Sequence, residues 1–182
     1  MERRTASELR LAGSKTAPRL VGYAAVYDAR SDDLGGFREY VRRGAFTRSL
    51  REGGDVLALV HHRPELILGR RSAGTLRLAE DERGLAFEID LPDTQAARDL
   101  AISVGRGDVR GASFAFTTPR GGDKWSTRDG QTVRELLDVN LHDVTVTAAP
   151  AYPDTEVARR AFEGLRTHPR LAVARRYLET VL

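Results

Sequence analysis

No apolar run in this sequence is longer than five residues, Tyr23–Tyr27 and Val56–Val60 being the longest. A membrane-crossing helix needs about 20, so such a span is excluded. From Leu20 the text is a series of short β-type segments cut by Gly, Pro and Asp. LVGYAAVYD reads as a strand stopped by the polar ARSDDLGG, and FREYV as a second. RGAFTRSLREGG predicts a helix with Phe46 and Leu50 on one face and a Gly53–Gly54 stop. DVLALVHH and ELILGRR predict strands on either side of Pro64, and GTLRLAEDERGLAFEIDLP a hairpin across EDERG. Pro92 and Asp93 then open a helix over TQAARDLAISVGRG, closed by glycines. GASFAFTTP is a strand, GGDKWSTRDGQ a hairpin-like excursion, and VRELLDVNLHDVTVTAAP two arms or one bent strand.

After Pro153 the pattern turns helical. Leu171, Ala174, Leu178 and Val181 form one stripe, which suits docking on the same domain or on a second copy in a homo-oligomer. With 182 residues, 41% hydrophobic and 30% charged, the chain has the size and composition of one packed domain. The expected class is α+β, mainly β: an antiparallel barrel or strongly curled sheet of about six to eight strands with surrounding helices. Residues 1–18 read as a mobile arm or edge strand, 19–153 as the barrel, and 154–182 as helices packed on it.

Several function classes drop out on composition. There are no cysteines, which removes disulfide frameworks, thiol nucleophiles and cysteine-ligated zinc together. The net charge is +3, but the basic residues are spread out, +3 over residues 1–20 (five basic, two acidic) and +2 over 154–182 (six basic, four acidic). Nucleic-acid binding wants a concentrated basic stripe with stacking aromatics, and none is visible. MERRTASELR lacks the apolar stretch of a secretory signal, so the expected location is the cytoplasm. The first helix after a strand carries no phosphate-cradling glycine fingerprint.

Three segments place a reactive group inside an apolar strand. In VLALVHHRPELILGR, strand alternation sends His62 one way with Val56, Ala58 and Val60, and His61 the other with Leu57 and Leu59. In GASFAF, Phe114 and Phe116 share the Ala112 face, whereas Ser113 shares its face with Ala115 and Thr117, all small. In LHDVTVTAAPAYP, Val144, Val146 and Ala148 mark the core side, which His142 would join; Asp143, Thr145 and Thr147 face the other way. Each has an ordinary reading: two histidines at a strand end, a packed hydroxyl, a solvated carboxylate between threonines. Each also has a chemical one. A serine is a weak nucleophile until a base takes its proton, an imidazole suits that task near neutral pH, and a carboxylate on the other ring nitrogen fixes its tautomer. Spacing alone does not bring the three together.

In order and together, these segments resemble the prohead (capsid maturation) serine proteases of tailed bacteriophages and gene transfer agents, a family distantly related to the herpesvirus assemblins. The likeness runs from GYAAVYD at residue 22 to APAYPDTEV at residue 157, through FREYVRRGAFTRSL, the histidine followed by Leu68-Gly69-Arg70, GASFAF and LHDVTVTAAPA. The resemblance implies a closed antiparallel barrel with helices outside. It implies Ser113 as nucleophile, His62 as base (the Leu-Gly-Arg element sets the register), and Asp143 as third member. This chain has His61-His62-Arg63 where the family often has Asn-His-Asp, which keeps His61 as an alternative base. Aspartate stands for the usual glutamate, and Ala115 for a glycine. An oxyanion donor near Ala151–Tyr152 would follow by analogy with the assemblins.

The implied activity is a serine endopeptidase that cleaves scaffolding protein, major capsid protein and itself inside an assembling prohead in the bacterial cytoplasm. No metal, organic cofactor, nucleic acid or membrane is implied. Two alternatives remain at this point: a catalytically weakened capsid-assembly or scaffold-binding module of the same fold, and a metal-dependent hydrolase built on His61 or His62 with His142 and Asp143.

Overall fold

The structure, a computed structural model, describes residues 2–6, 8–14 and 17–148. In chain order the elements are β1 (Glu2–Ala6), β2 (Glu8–Ser14), β3 (Ala17–Val26), β4 (Phe37–Val41), α1 (Thr47–Glu52), β5 (Leu57–Val60), β6 (Arg63–Arg70), β7 (Leu76–Glu80), β8 (Gly84–Asp90), α2 (Gln95–Arg106), β9 (Gly111–Thr117), β10 (Asp123–Arg128), β11 (Gln131–Leu136) and β12 (Asn140–Thr147).

Alternating apolar residues on these strands meet in one core. Phe46, Phe114, Phe116, Leu20, Leu85, Ile89, Val41 and Leu136 are all fully buried. Phe114 anchors it: its ring meets Phe46 edge-on at 5.2 Å and stacks on Phe116 at 5.2 Å, the two geometries aromatic quadrupoles favour. The helices follow from local chemistry. Thr94 caps α2 by accepting the Ala97 N–H, and Ala97, Leu100 and Val104 form its buried stripe against β2. Gly107 ends α2 at φ 82°, and Gly53 ends α1 at φ 75°, both in the left-handed region that glycine enters freely.

The mainly β architecture agrees with expectation, but three details differ. The ladders form three sheets, β1-β9-β12-β5-β6, β10-β11-β4 and β2-β3-β8-β7, and among the described residues none closes into a barrel. Pairing is mixed, since β12 runs parallel to β5 and β11 parallel to β4. Among the described residues the strands number twelve rather than six to eight. β1 and β2 occupy the N-terminal segment expected to be an arm or edge strand, and β10–β11 is a hairpin at the excursion expected over GGDKWSTRDGQ; the pairing that local pattern does not reveal is that of β1 with the distant β9.

β1 lies antiparallel along β9, with Thr5 opposite Ser113, at one edge of its sheet. Its first residue is tied down by Arg134, a buried guanidinium that donates to Glu2 (one contact at 2.9 Å), Glu39, Asp123 and Thr118. A buried arginine is tolerable only when its donors are matched in this way. The helices expected over 154–182 lie outside the described residues.

Candidate active site

The five-stranded sheet brings the three singled-out segments side by side. β12 sits between β9 and β5, pairing Thr145 with Ser113 on one side and with Leu59 on the other. Ser113 and Asp143 therefore come from neighbouring strands, and His62 arrives from the loop that follows β5.

That loop is where the sequence reading of the histidines is corrected. Val60 pairs with Arg63, so His61 and His62 are the two central residues of a tight hairpin rather than members of a strand. Their φ angles are 50° and 55°, the left-handed conformation that two-residue hairpin turns demand. Strand alternation does not apply there. For residues other than glycine this conformation costs on the order of 1–2 kcal/mol each, and such strain persists only where the surroundings hold it in place.

The surroundings here are β12. The His61 N–H donates to the Val146 carbonyl at 3.0 Å, and the His62 N–H to Thr145 Oγ1 at 2.8 Å. His62 Nδ1 lies 2.8 Å from Asp143 Oδ1, and His61 Nδ1 3.2 Å from Thr147 Oγ1. Asp143, Thr145 and Thr147 alternate along one face of β12, so each reaches the turn in succession.

His62 Nε2 lies 2.9 Å from Ser113 Oγ. A carboxylate can only accept, so the 2.8 Å contact with Asp143 puts the ring proton on Nδ1. Nε2 of the neutral ring is then an acceptor, and the Ser113 hydroxyl donates to it. Serine, imidazole and carboxylate thus form one directed hydrogen-bonded chain. It is largely shielded from water, with Ser113 2% and Asp143 5% exposed, and such shielding strengthens each bond in the chain. The chemistry open to this arrangement is removal of the hydroxyl proton as the oxygen attacks an electrophile.

The other candidates fall elsewhere. His61 is exposed and turned to Thr147. His142 does not join the core side. A β-bulge between Leu141 and Asp143 resets the alternation, and His142 is exposed, its Nε2 3.0 Å from Thr117 Oγ1. Among the described residues no group of three or more histidine, cysteine, aspartate or glutamate side chains is placed to hold a metal ion, and no helix is long and apolar enough to cross a membrane. Ala151 and Tyr152 lie outside the described residues. Ala115 faces away from the phenylalanines beside Ser113 and is fully buried, so the small residue there is packed, not open.

Thr145 is the residue the sequence reading undervalued. Pattern placed it on the Asp143 face but took that face to be solvated, whereas it is 1% exposed and hydrogen-bonded at both ends of its hydroxyl. The signal that could have found it was its position, two residues from Asp143 and on the same face.

Comparison with known proteins places this geometry in context. The family model described as caudovirus prohead serine protease matches residues 5–168. No curated protein sequence matches the chain. Among solved structures, the bacteriophage T4 capsid assembly protease gp21 is similar at 8% identity and a TM-score of 0.46, over 81% of this chain and 99% of that one.

Proposed function

The chain belongs to the caudovirus prohead serine protease family, and from that premise we propose that it is a serine endopeptidase of capsid maturation with Ser113 as nucleophile, His62 as general base and Asp143 as the group that orients it. The observation that carries this reading is the continuous contact from Ser113 Oγ through the His62 ring to Asp143, at 2.9 and 2.8 Å. Both distances lie within the hydrogen-bond reach of about 2.6–3.2 Å that proton transfer needs.

In the proposed reaction Ser113 Oγ attacks the scissile carbonyl as His62 Nε2 takes its proton, and Asp143 stabilises the imidazolium that forms. The tetrahedral intermediate collapses with cleavage of the C–N bond, the leaving amine receiving the proton from His62. An acyl ester on Ser113 remains. Water then attacks it, giving its proton to His62, and the ester breaks to release the new carboxyl terminus and restore the hydroxyl. No metal or organic cofactor enters these steps.

The proposed substrates are scaffolding protein, major capsid protein and the protease itself, cut inside the assembling prohead in the bacterial cytoplasm. Aspartate in place of the family's usual glutamate is no obstacle, because its carboxylate already reaches His62 at 2.8 Å.

Co-expression with the capsid and scaffolding proteins tests the reading. The unaltered chain is expected to process them, with or without a chelator, and Ser113→Ala to leave them intact. Unchanged processing by Ser113→Ala would instead favour a non-catalytic assembly module of the same fold, a reading that the departure from Asn-His-Asp at residues 61–63 suggests.

A further inference from the structure

We infer that Thr145 is a positioning residue for the reaction proposed above: its hydroxyl locks the left-handed His61–His62 turn so that the His62 ring bridges Ser113 and Asp143. The inference rests on that catalytic reading but is carried by separate atoms. Thr145 Oγ1 accepts the His62 backbone N–H at 2.8 Å and donates to the Leu59 carbonyl at 2.9 Å. One hydroxyl therefore joins the strand before the turn to the turn itself, and uses its donor and an acceptor lone pair to do so.

Three features single it out. Its location is central, because Thr145 pairs with Ser113 across one ladder and with Leu59 across the other. Its burial is nearly complete, at 1% exposed, so a lost bond is not readily replaced by solvent. The object it holds is also under strain, since His62 adopts φ 55° and has a standing preference to leave that conformation. Asp143 holds the ring, but the ring can pivot as long as the backbone beneath it moves. Thr145 holds the backbone. With both fixed, Nε2 has one place to be, beside Ser113 Oγ.

The test uses Thr145→Val, which keeps the shape and removes the hydroxyl, and Thr145→Ser, which keeps the hydroxyl. A buried hydrogen bond lost with its partner left behind is worth a factor of roughly ten to a hundred. Thr145→Val is expected to lower kcat by that factor, with KM nearly unchanged and the unfolding transition still cooperative, and Thr145→Ser to recover most of kcat. Proton NMR adds a readout that needs no turnover. The low-field signal of the His62 Nδ1 proton, assigned by its loss in His62→Ala, should be present in the unaltered chain and in Ser113→Ala, lost or broadened in Thr145→Val, and restored in Thr145→Ser.

An unchanged kcat and low-field signal in Thr145→Val would overturn the inference. So would a Thr145→Val chain that fails to fold, since the hydroxyl would then be structural rather than positioning. If Ser113→Ala is as active as the unaltered chain, the catalytic reading fails, while the NMR signal still decides what Thr145 does to the histidine.

Discussion

Replacing Asp143 by asparagine changes one atom's chemistry and almost none of its shape, which makes the consequence calculable. The side chain is 5% exposed and cannot swing into solvent, so the amide must present either its NH2 or its oxygen to His62 Nδ1. If the NH2 faces the ring, Nδ1 must accept. The ring proton then moves to Nε2, which donates to Ser113 Oγ and is no longer a base. Such a tautomer reversal in a serine–histidine–aspartate arrangement costs about 10⁴ in kcat, or roughly 5.4 kcal/mol at about 1.36 kcal/mol per factor of ten. If the oxygen faces the ring, the tautomer survives but the imidazolium loses its counter-charge. Two unit charges about 4 Å apart at an effective dielectric of about 20 attract by about 4 kcal/mol, or about 10³ in rate. Either orientation therefore predicts a loss between about 10³ and 10⁴. The assay is cleavage of co-assembled capsid protein followed in time, with the fluorophosphonate labelling rate as a substrate-independent check and thermal unfolding as a control for folding. Folded Asp143→Asn that retains more than a tenth of the unaltered rate would refute the argument that Asp143 sets the protonation and charge of His62.

Two further outcomes concern the scaffold that holds the site. Phe114→Ala empties the space between Phe46 and Phe116 directly behind Ser113 and should cost about 3–5 kcal/mol; urea unfolding should show a lower midpoint at unchanged slope, and a loss below about 1 kcal/mol would contradict the packing account. Glu135 is held below its ordinary carboxyl value of 4.5, first by hydrogen bonds from Arg42 and against the opposing effect of burial. A carboxyl with a depressed folded value stabilises the fold above its unfolded value and loses that contribution as pH falls through the folded one. Glu135→Gln should therefore destabilise the chain at pH 7 and progressively less below about pH 4.5; a gap in unfolding free energy that stays constant with pH would count against the ion pair.

How far the sequence foretold this site depended on whether local pattern controlled the residue in question. The face that Ser113 occupies was legible because the Phe114 and Phe116 side chains claim one side of a strand and leave only small residues on the other, whereas its role as nucleophile was implied only by the family resemblance. The β7–β8 hairpin and α2 were legible because turn residues and caps are local signals. His61 and His62 were misassigned to opposite faces because a period of two assumes extended backbone, and the pair sits in a left-handed turn. His142 failed for a related reason, since the bulge at Leu141–Asp143 inserts a residue that no composition rule announces. Thr145 and Asp143 looked solvated because a strand's pattern tells which residues share a face and not what covers it. The parallel pairing of β12 with β5, which carries the histidine turn to the carboxylate, joins residues more than 80 positions apart and is invisible to any local rule.

The most direct test of the catalytic proposal is the position of a covalent adduct. The purified chain would be treated with a fluorophosphonate, digested, and the modified peptide sequenced by mass spectrometry. A single adduct is expected, on Ser113 in GASFAF, and none in His62→Ala. An adduct on another serine, or labelling of Ser113 that proceeds equally well without His62, would contradict it.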